Sequence, residues 1–286
     1  MRIFENFDLT NYNSYRLKAN CSNAFFPDEE KDIQDIFLNR KDRKKIIIGD
    51  GNNIIFSEEY YDADFIIFSK CLDAVSWVDE VTFEAGAGTT LLQLSEMALE
   101  KSLSGLEMFY DIPSSLGGAV VMNAGAGGED IKSLLISVRY YDPVENVFAD
   151  ITKDEIGFEY RNSFFQKNPH LIILKAVLQL KPGQREAIKE KMDTIKTARW
   201  AKQPKEFPNA GSVFKRPPGR FVGPMMEELN LKGFGVGGAK ISEKHGGFII
   251  NYNGATGKDI LDLIGEAKLR VHERFGVDLE IEQRII

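Results

Sequence analysis

The chain of 286 residues is poor in cysteine, histidine and tryptophan, with two, three and two respectively. Cys21 and Cys71 lie far apart and form no metal or redox spacing, which excludes a disulfide scaffold and leaves reduced bystanders as the expectation. His170, His245 and His272 are scattered, so no His-built metal site is expected. No stretch approaches the ~20 consecutive apolar residues that span a bilayer. The opening Met1 to Asp8 has no signal-peptide apolar segment, and a cytoplasmic location follows as an expectation. Internal repeats and low-complexity tracts are absent. A net charge of −7 argues against nonspecific nucleic-acid binding as the main activity. Neither a membrane nor an obligate protein partner is expected. What remains is an ordinary globular composition, 43% apolar and 28% charged, long enough for two domains.

The densest signal is Ile112 to Gly128, where five glycines, three alanines and an Asn surround the short apolar run Val120 to Met122. Small residues at this density let backbone approach something else, and successive N–H groups in tight turns make an anion-binding concavity. The plainer reading is a glycine-rich surface loop. A second run, Gly49-Asp50-Gly51-Asn52-Asn53, separates the apolar strands Ile46–Ile48 and Ile54–Phe56. Between Arg199 and Arg220 lie six cations against one acid, Glu206, around the small-residue loop Asn209–Ser212. Such a run is usually a solvated face. Two glycine loops ahead of it favour a phosphate-bearing cofactor and an anionic small molecule.

The chain reads as mixed α and β throughout. Phe25–Phe26 closes a strand ahead of a helix from Lys31 to Leu38, and Phe65–Phe68 and Val81–Ala85 are further short strands. Thr89 or Thr90 caps a helix through about Ser102, with Leu91, Leu94, Met97 and Ala98 on one face, stopped by Gly105. Gly86-Ala87-Gly88-Thr89-Thr90-Leu91 imitates a dinucleotide fingerprint, but Leu91 replaces the third glycine and no strand–helix alternation follows, so a Rossmann fold is set aside. Ile136–Tyr141 and Val147–Ile151 form a hairpin, Glu159 to Phe165 is loop, and Leu171–Leu180 is a long strand. Lys181-Pro182-Gly183 is the best domain boundary, with a helix from Arg185 to Ala201 beyond it. Val222 to Leu231 is a short helix ended by Gly233, and Phe248–Asn251 is a strand. Thr256 caps a helix to Phe275 that Gly276 stops, its apolar stripe facing a core. Val277 to Arg284 alternates as a terminal strand, which puts Glu280, Glu282 and Arg284 on one face.

Taken together, these segments resemble the UDP-N-acetylenolpyruvoylglucosamine reductase (MurB) family of peptidoglycan synthesis. Ile48 to Ile54 is similar to its first flavin loop and Ile112 to Gly128 to its second. Tyr160-Arg161-x-Ser163 matches its Tyr-Arg-x-Ser signature, and Ala210 to Pro217 its Gly-Ser-x-Phe motif. Leu231-Lys232-Gly233, Ser242-x-Lys244-His245 and Leu279-Glu280-Ile281-Glu282-x-Arg284 complete the set, from about residue 45 onward. Asn52 stands where the family usually has Ser, and Ser114 where it usually has Gly; Tyr15 to Asn20 lacks the usual Gly-Gly. The Arg216-Pro217 ending resembles the shorter subclass, without the extra tyrosine loop.

The resemblance implies an α+β (α/β) architecture. Residues 1–182 form an FAD-binding domain of the PCMH, vanillyl-alcohol-oxidase-like type with two subdomains, and 183–286 a C-terminal α/β substrate-binding domain. It implies noncovalent FAD, NADPH as co-substrate and a UDP-sugar substrate. Flavin-binding positions carry over to Gly49, Asp50, Gly51, Asn52, Asn53 and Ile54. In the second loop they are Pro113, Ser114, Ser115, Gly117, Gly118 and Ala119, then Asn123, Ala124 and Gly125. Lys202, Lys215 and Arg216 are the substrate-binding candidates. Arg161 carries over as charge stabiliser, Glu282 as acid or hydrogen-bond partner, and Ser212 as proton donor to the enolate carbon. Each alone has an ordinary reading, as a surface Arg, a solvated Glu and a turn Ser. Two other functions fit less well. A flavin oxidase with covalent flavin needs a His or Cys in loops that contain neither, and a non-catalytic binding module has no use for a proton donor.

Overall fold

The computed structural model describes residues 1–286. The chain divides into two compact units. The first comprises residues 1–4, 23–50 and 63–198; the second comprises 5–22, 51–62 and 199–286. No helix is long and apolar enough to cross a membrane.

The first unit is built on a five-stranded sheet, ordered Val147–Thr152, Leu135–Asp142, Ile172–Gln179, Thr82–Gly86, Val75–Trp77. Every pairing in it is antiparallel. Ile172–Gln179 sits in the middle and reads as a near-continuous apolar run, as a strand covered on both faces must. Lys45–Ile48 pairs in parallel with Asp64–Ile67. The helices Glu30–Asn39, Leu91–Glu100 and Leu116–Met122 contribute Ile33, Leu94 and Val120 to the core beside Phe83, Val138 and Leu174. An all-antiparallel sheet is not the doubly wound parallel fold, so the Gly86–Leu91 fingerprint is indeed a decoy.

Its glycines have another cause. A Cβ on Gly86 would meet the Leu72 carbonyl oxygen at 1.8 Å, and one on Gly88 the Cys71 carbonyl oxygen at 1.8 Å. They are glycine because backbone crosses backbone there. Thr90 then caps the Leu91–Glu100 helix through a capping box with Gln93. The helix ends close to the expected Ser102, with Lys101 as its C-cap; the left-handed residue that stops it is Ser102 itself at φ +57°, not Gly105.

In the second unit the helix Gly257–Phe275 lays Ile260, Leu263, Ile264, Ala267 and Val271 into a core. Gly235–Val236, Ala239–Ile241 and Ile249–Asn251 form an antiparallel sheet. Thr256 and Asp259 make the capping box and Gly276 the left-handed stop. The helix Val222–Glu228 ends earlier than expected, because Asn230 turns at φ +53° before Gly233 is reached. The tail also differs from the expected strand. Only Arg284–Ile285 is strand, paired in parallel with Ile54–Ile55, and Ile281 makes a single bridge to Phe214. Leu279 and Gln283 are the buried tail residues, on the face opposite the exposed Glu280 and Arg284 as the alternation expects.

Candidate active site

In the first unit the two glycine-rich loops touch. A Cβ added to Gly49 would lie 2.4 Å from the Ser115 Oγ, so only glycine lets the first loop pass this close. Ser115 is buried and caps Leu116–Met122, its Oγ accepting the Gly118 N–H at 3.4 Å. The Gly86–Thr90 loop backs the same turn. The Gly117 N–H donates to the Ala87 carbonyl at 2.9 Å and the Leu116 N–H to Thr89 at 2.8 Å. Thr90 and Ser115 form a bridge. Pro113 is exposed, Ser114 half-buried, and Ala119 lies in the core. Burial raises the Asp50 carboxyl above the usual range, against hydrogen bonding from Ser69 and the charge of Lys70. The contact at Gly49 sets the two small-residue loops side by side, with Pro113 exposed and Ser114 and Gly118 partly exposed at the start of the Leu116–Met122 helix, a lining of small side chains and backbone that fits FAD.

The other end of that helix anchors Arg161. Asn123 takes φ +44° at the C-cap, and its Nδ2 donates to Asp130 at 3.2 Å and to the Glu159 carbonyl at 3.1 Å. The Ala124 N–H closes the turn on Ala119. Ser163, fully buried, donates its hydroxyl to the Val121 carbonyl at 2.7 Å. The Arg161 guanidinium donates to the Gly125 carbonyl at 2.8 Å and to the Asn123 carbonyl at 3.4 Å, and packs on Tyr160. Arg161 itself is at φ +53°, the left-handed region that is strained for any residue with a Cβ. The spacing of Tyr160 to Ser163 is thereby explained: Arg161 and Ser163 both dock on the turn from Val121 to Gly125.

In the second unit Ser212 is exposed on a turn where Gly211 takes φ +80°, and Asn209 Oδ1 accepts the Gly211 N–H at 3.1 Å. Val213 donates to Gly247 at 3.0 Å, and the Glu282 N–H donates to the Val213 carbonyl at 2.8 Å. Ser212 and Glu282 are therefore brought together as neighbours along paired segments. Gly51, Asn52, Asn53 and Ile54 also belong here. A Cβ on Gly51 would run into the Tyr12 carbonyl at 2.0 Å, Asn52 is hydrogen-bonded to Ser14, and Asn53 Nδ2 donates to the Glu282 carbonyl at 3.2 Å. Ile54 is buried in its strand pair.

Of the basic run, Lys202 is exposed at the end of the helix Arg185–Lys202, and Lys215 is ion-paired with Glu280. Arg216 lies 3.9 Å over the exposed Phe221 ring. His245 accepts the Gly247 N–H at its Nδ1, 3.0 Å away, and packs edge-on against Phe248. Burial, helped by Lys232, holds its imidazole below the ordinary value. Both observations fit a structural part for His245, fixing Gly247, whose carbonyl accepts the Val213 N–H beside Ser212. Sequence reasoning missed Ser163, Asn123's tie to Glu159, Tyr15 and Gln283 as supports of this site. A buried polar side chain among apolar neighbours was the available signal, visible only once burial is known.

A model of the UDP-N-acetylenolpyruvoylglucosamine reductase C-terminal domain matches residues 203–286, and an FAD-binding domain model matches 22–148. The UDP-N-acetylenolpyruvoylglucosamine reductase of Francisella tularensis is 39% identical over 99% of both chains. That of Syntrophomonas wolfei is 39% identical over 100% of this chain and 95% of its own. The chain belongs to the UDP-N-acetylenolpyruvoylglucosamine reductase family. The crystal structure of the Thermus caldophilus family member superposes with a TM-score of 0.80 at 29% identity, covering 99% of this chain and 98% of that one. Family membership fixes the fold class as the α+β architecture with an FAD-binding domain and makes the chain an FAD-dependent oxidoreductase.

Proposed function

We propose that this chain reduces UDP-N-acetylglucosamine enolpyruvate to UDP-N-acetylmuramate with NADPH, a step of peptidoglycan precursor synthesis, in the cytoplasm. The observation that carries the reading is Arg161 fixed on the second glycine loop, in a chain matched over its full length by reductases of that name. The flavin is held by Gly49 to Ile54 and by Pro113 to Gly125, within a cofactor domain of residues 1–182. Residues 183–286 bind the UDP-sugar, with Lys202, Lys215 and Arg216 toward its anionic groups.

FAD, held by those loops, would supply the redox chemistry that links NADPH to the enolpyruvyl double bond. Hydride arrival at one alkene carbon drives an electron pair toward the substrate carboxylate, and the other carbon then needs a proton. Arg161 offers a fixed cation to the developing enolate charge, already oriented by two carbonyls and so needing no reorganisation. Ser212 delivers its hydroxyl proton to the remaining carbon. A serine is a weak acid, so Glu282 assists as acid or hydrogen-bond partner.

An absorption spectrum tests the reading. The purified protein should be yellow, should release its flavin on denaturation, and should bleach with NADPH under anaerobic conditions. Adding the enolpyruvyl UDP-sugar should restore the colour. A colourless protein that does not take up added FAD would overturn it.

A further inference from the structure

The carboxamide of Gln283 is 4% exposed and lies under the turn that carries Ser212. Its Nε2 donates to the Ala210 carbonyl at 2.9 Å and the Gly211 carbonyl at 3.3 Å. Its Oε1 accepts the Tyr15 hydroxyl at 3.0 Å. Tyr15 is completely buried, and its own carbonyl accepts Asn251 Nδ2 at 2.8 Å. The residues on either side of Gln283 add two backbone ties. The Glu282 N–H donates to the Val213 carbonyl at 2.8 Å and the Arg284 N–H to the Asn53 carbonyl at 2.9 Å. One buried amide thus stands where the Ser212 turn, the Glu282 segment and Asn53 are joined.

Burial alone does not ask for glutamine here, since an apolar side chain would fill the same volume. An amide is required because the turn directs carbonyl oxygens inward that no helix or strand satisfies. The two carbonyls decide which way the amide faces: they can only accept, so Nε2 must meet them, since the reversed amide would set oxygen against oxygen. Oε1 is thereby left to accept the Tyr15 hydroxyl, which supports the amide from its other end.

We infer that Tyr15 and Gln283 are positioning residues for the proton-transfer step: they hold the Ala210–Gly211 carbonyls and thereby the place of the Ser212 hydroxyl beside the Glu282 segment. The inference rests on Ser212 as proton donor. Neither residue touches the reacting atoms in this account.

The test separates the two half-reactions by stopped flow in Gln283→Met, Tyr15→Phe and Ser212→Ala. Gln283→Met keeps the shape and removes the amide. It should hold flavin and bleach with NADPH within about twofold of the parent rate. Reoxidation by the enolpyruvyl sugar should slow by about 10- to 100-fold, the rate equivalent of buried carbonyls left without donors. The solvent deuterium isotope effect on that half should rise, because proton delivery becomes limiting. Tyr15→Phe should show the same pattern at smaller size, and it decides the matter if Gln283→Met loses flavin. Equal slowing of both halves, an unchanged isotope effect or an unaffected reoxidation rate in these variants would overturn the inference. If Ser212→Ala slows reoxidation and the other two do not, positioning fails alone. If Ser212→Ala does not slow it, the assignment of Ser212 falls as well.

Discussion

A serine hydroxyl is an unlikely acid until its surroundings are specified, and the surroundings of Ser212 are those of an exposed turn held from beneath. The two halves of the cycle distinguish an acid from a turn residue. Ser212→Ala should leave NADPH bleaching near the parent rate while reoxidation by the enolpyruvyl sugar slows by roughly 10² to 10⁴, the usual contribution of a general acid. Stopped-flow traces that show both halves equally impaired would return Ser212 to a turn role. Arg216 poses a parallel question, since its guanidinium already lies on Phe221. If it also meets the substrate's phosphates, Arg216→Ala should raise the KM for the UDP-sugar about tenfold or more, as expected for a charge-assisted contact. An unchanged KM would leave the run as a solvated face. Lys215, tied to Glu280, has less freedom to change partners than the exposed Lys202.

Helix ends were legible in the sequence wherever the signal is local. Thr90 with Gln93, and Thr256 with Asp259 and Gly276, act where their side-chain chemistry predicts. One stop was misplaced, because Asn230 accepts left-handed backbone before Gly233 does; the other lies where expected, near Ser102, but through Ser102 itself rather than Gly105. The tail was misread as one continuous strand. Its alternation of faces holds, with Leu279 and Gln283 inward, but its strand hydrogen bonds are set by distant partners, Phe214 for Ile281 and Ile54 for Arg284. The glycine loops were recognised, but the sequence could not separate glycines that permit a close approach, such as Gly49 and Gly86, from those with open space around them, such as Gly265. That difference predicts opposite results at two sites. Gly49→Ala should push Ser115 from its capping place and weaken FAD binding by tenfold or more in a fluorescence titration. Gly265→Ala, exposed in the Gly257–Phe275 helix with nothing near its new methyl, should stabilise by about 0.5 to 1 kcal/mol. A Gly49→Ala protein with parental FAD affinity would remove the argument for close approach.

Across the whole molecule, buried ionisable groups set a window of pH in which the fold is most stable. On the acid side, burial works to raise the Asp64 carboxyl, yet Arg40, Asn23 and Arg43 outweigh it and hold it below the ordinary range. Glu107 is likewise lowered against its burial, by Ser104, Gly105 and Lys191. Their contributions are present above the unfolded value near 4 and are lost as pH falls through the folded values. His245 acts earlier. Its folded value is lowered, so below about 6.5 the unfolded chain binds a proton that the folded chain resists, and stability begins to fall. Asp50, raised by burial, opposes this trend in part. On the alkaline side burial raises Tyr15 and Tyr61. The unfolded chain releases their protons above about 10 while the folded chain keeps them, so their contribution is full below that pH and declines above it. Burial also raises the Cys71 thiol, whose contribution begins to be lost above its unfolded value near 8.5. Urea midpoints should therefore be highest between about pH 6.5 and 8.5 and fall on both sides, most steeply above about pH 10 on the alkaline side. Tyr15→Phe should lower the plateau, because Gln283 loses its partner, and should also make the alkaline decline shallower, because one resisting phenol is gone. A Tyr15→Phe protein whose midpoint drops as steeply above pH 10 as the parent's would show that the decline belongs to other groups.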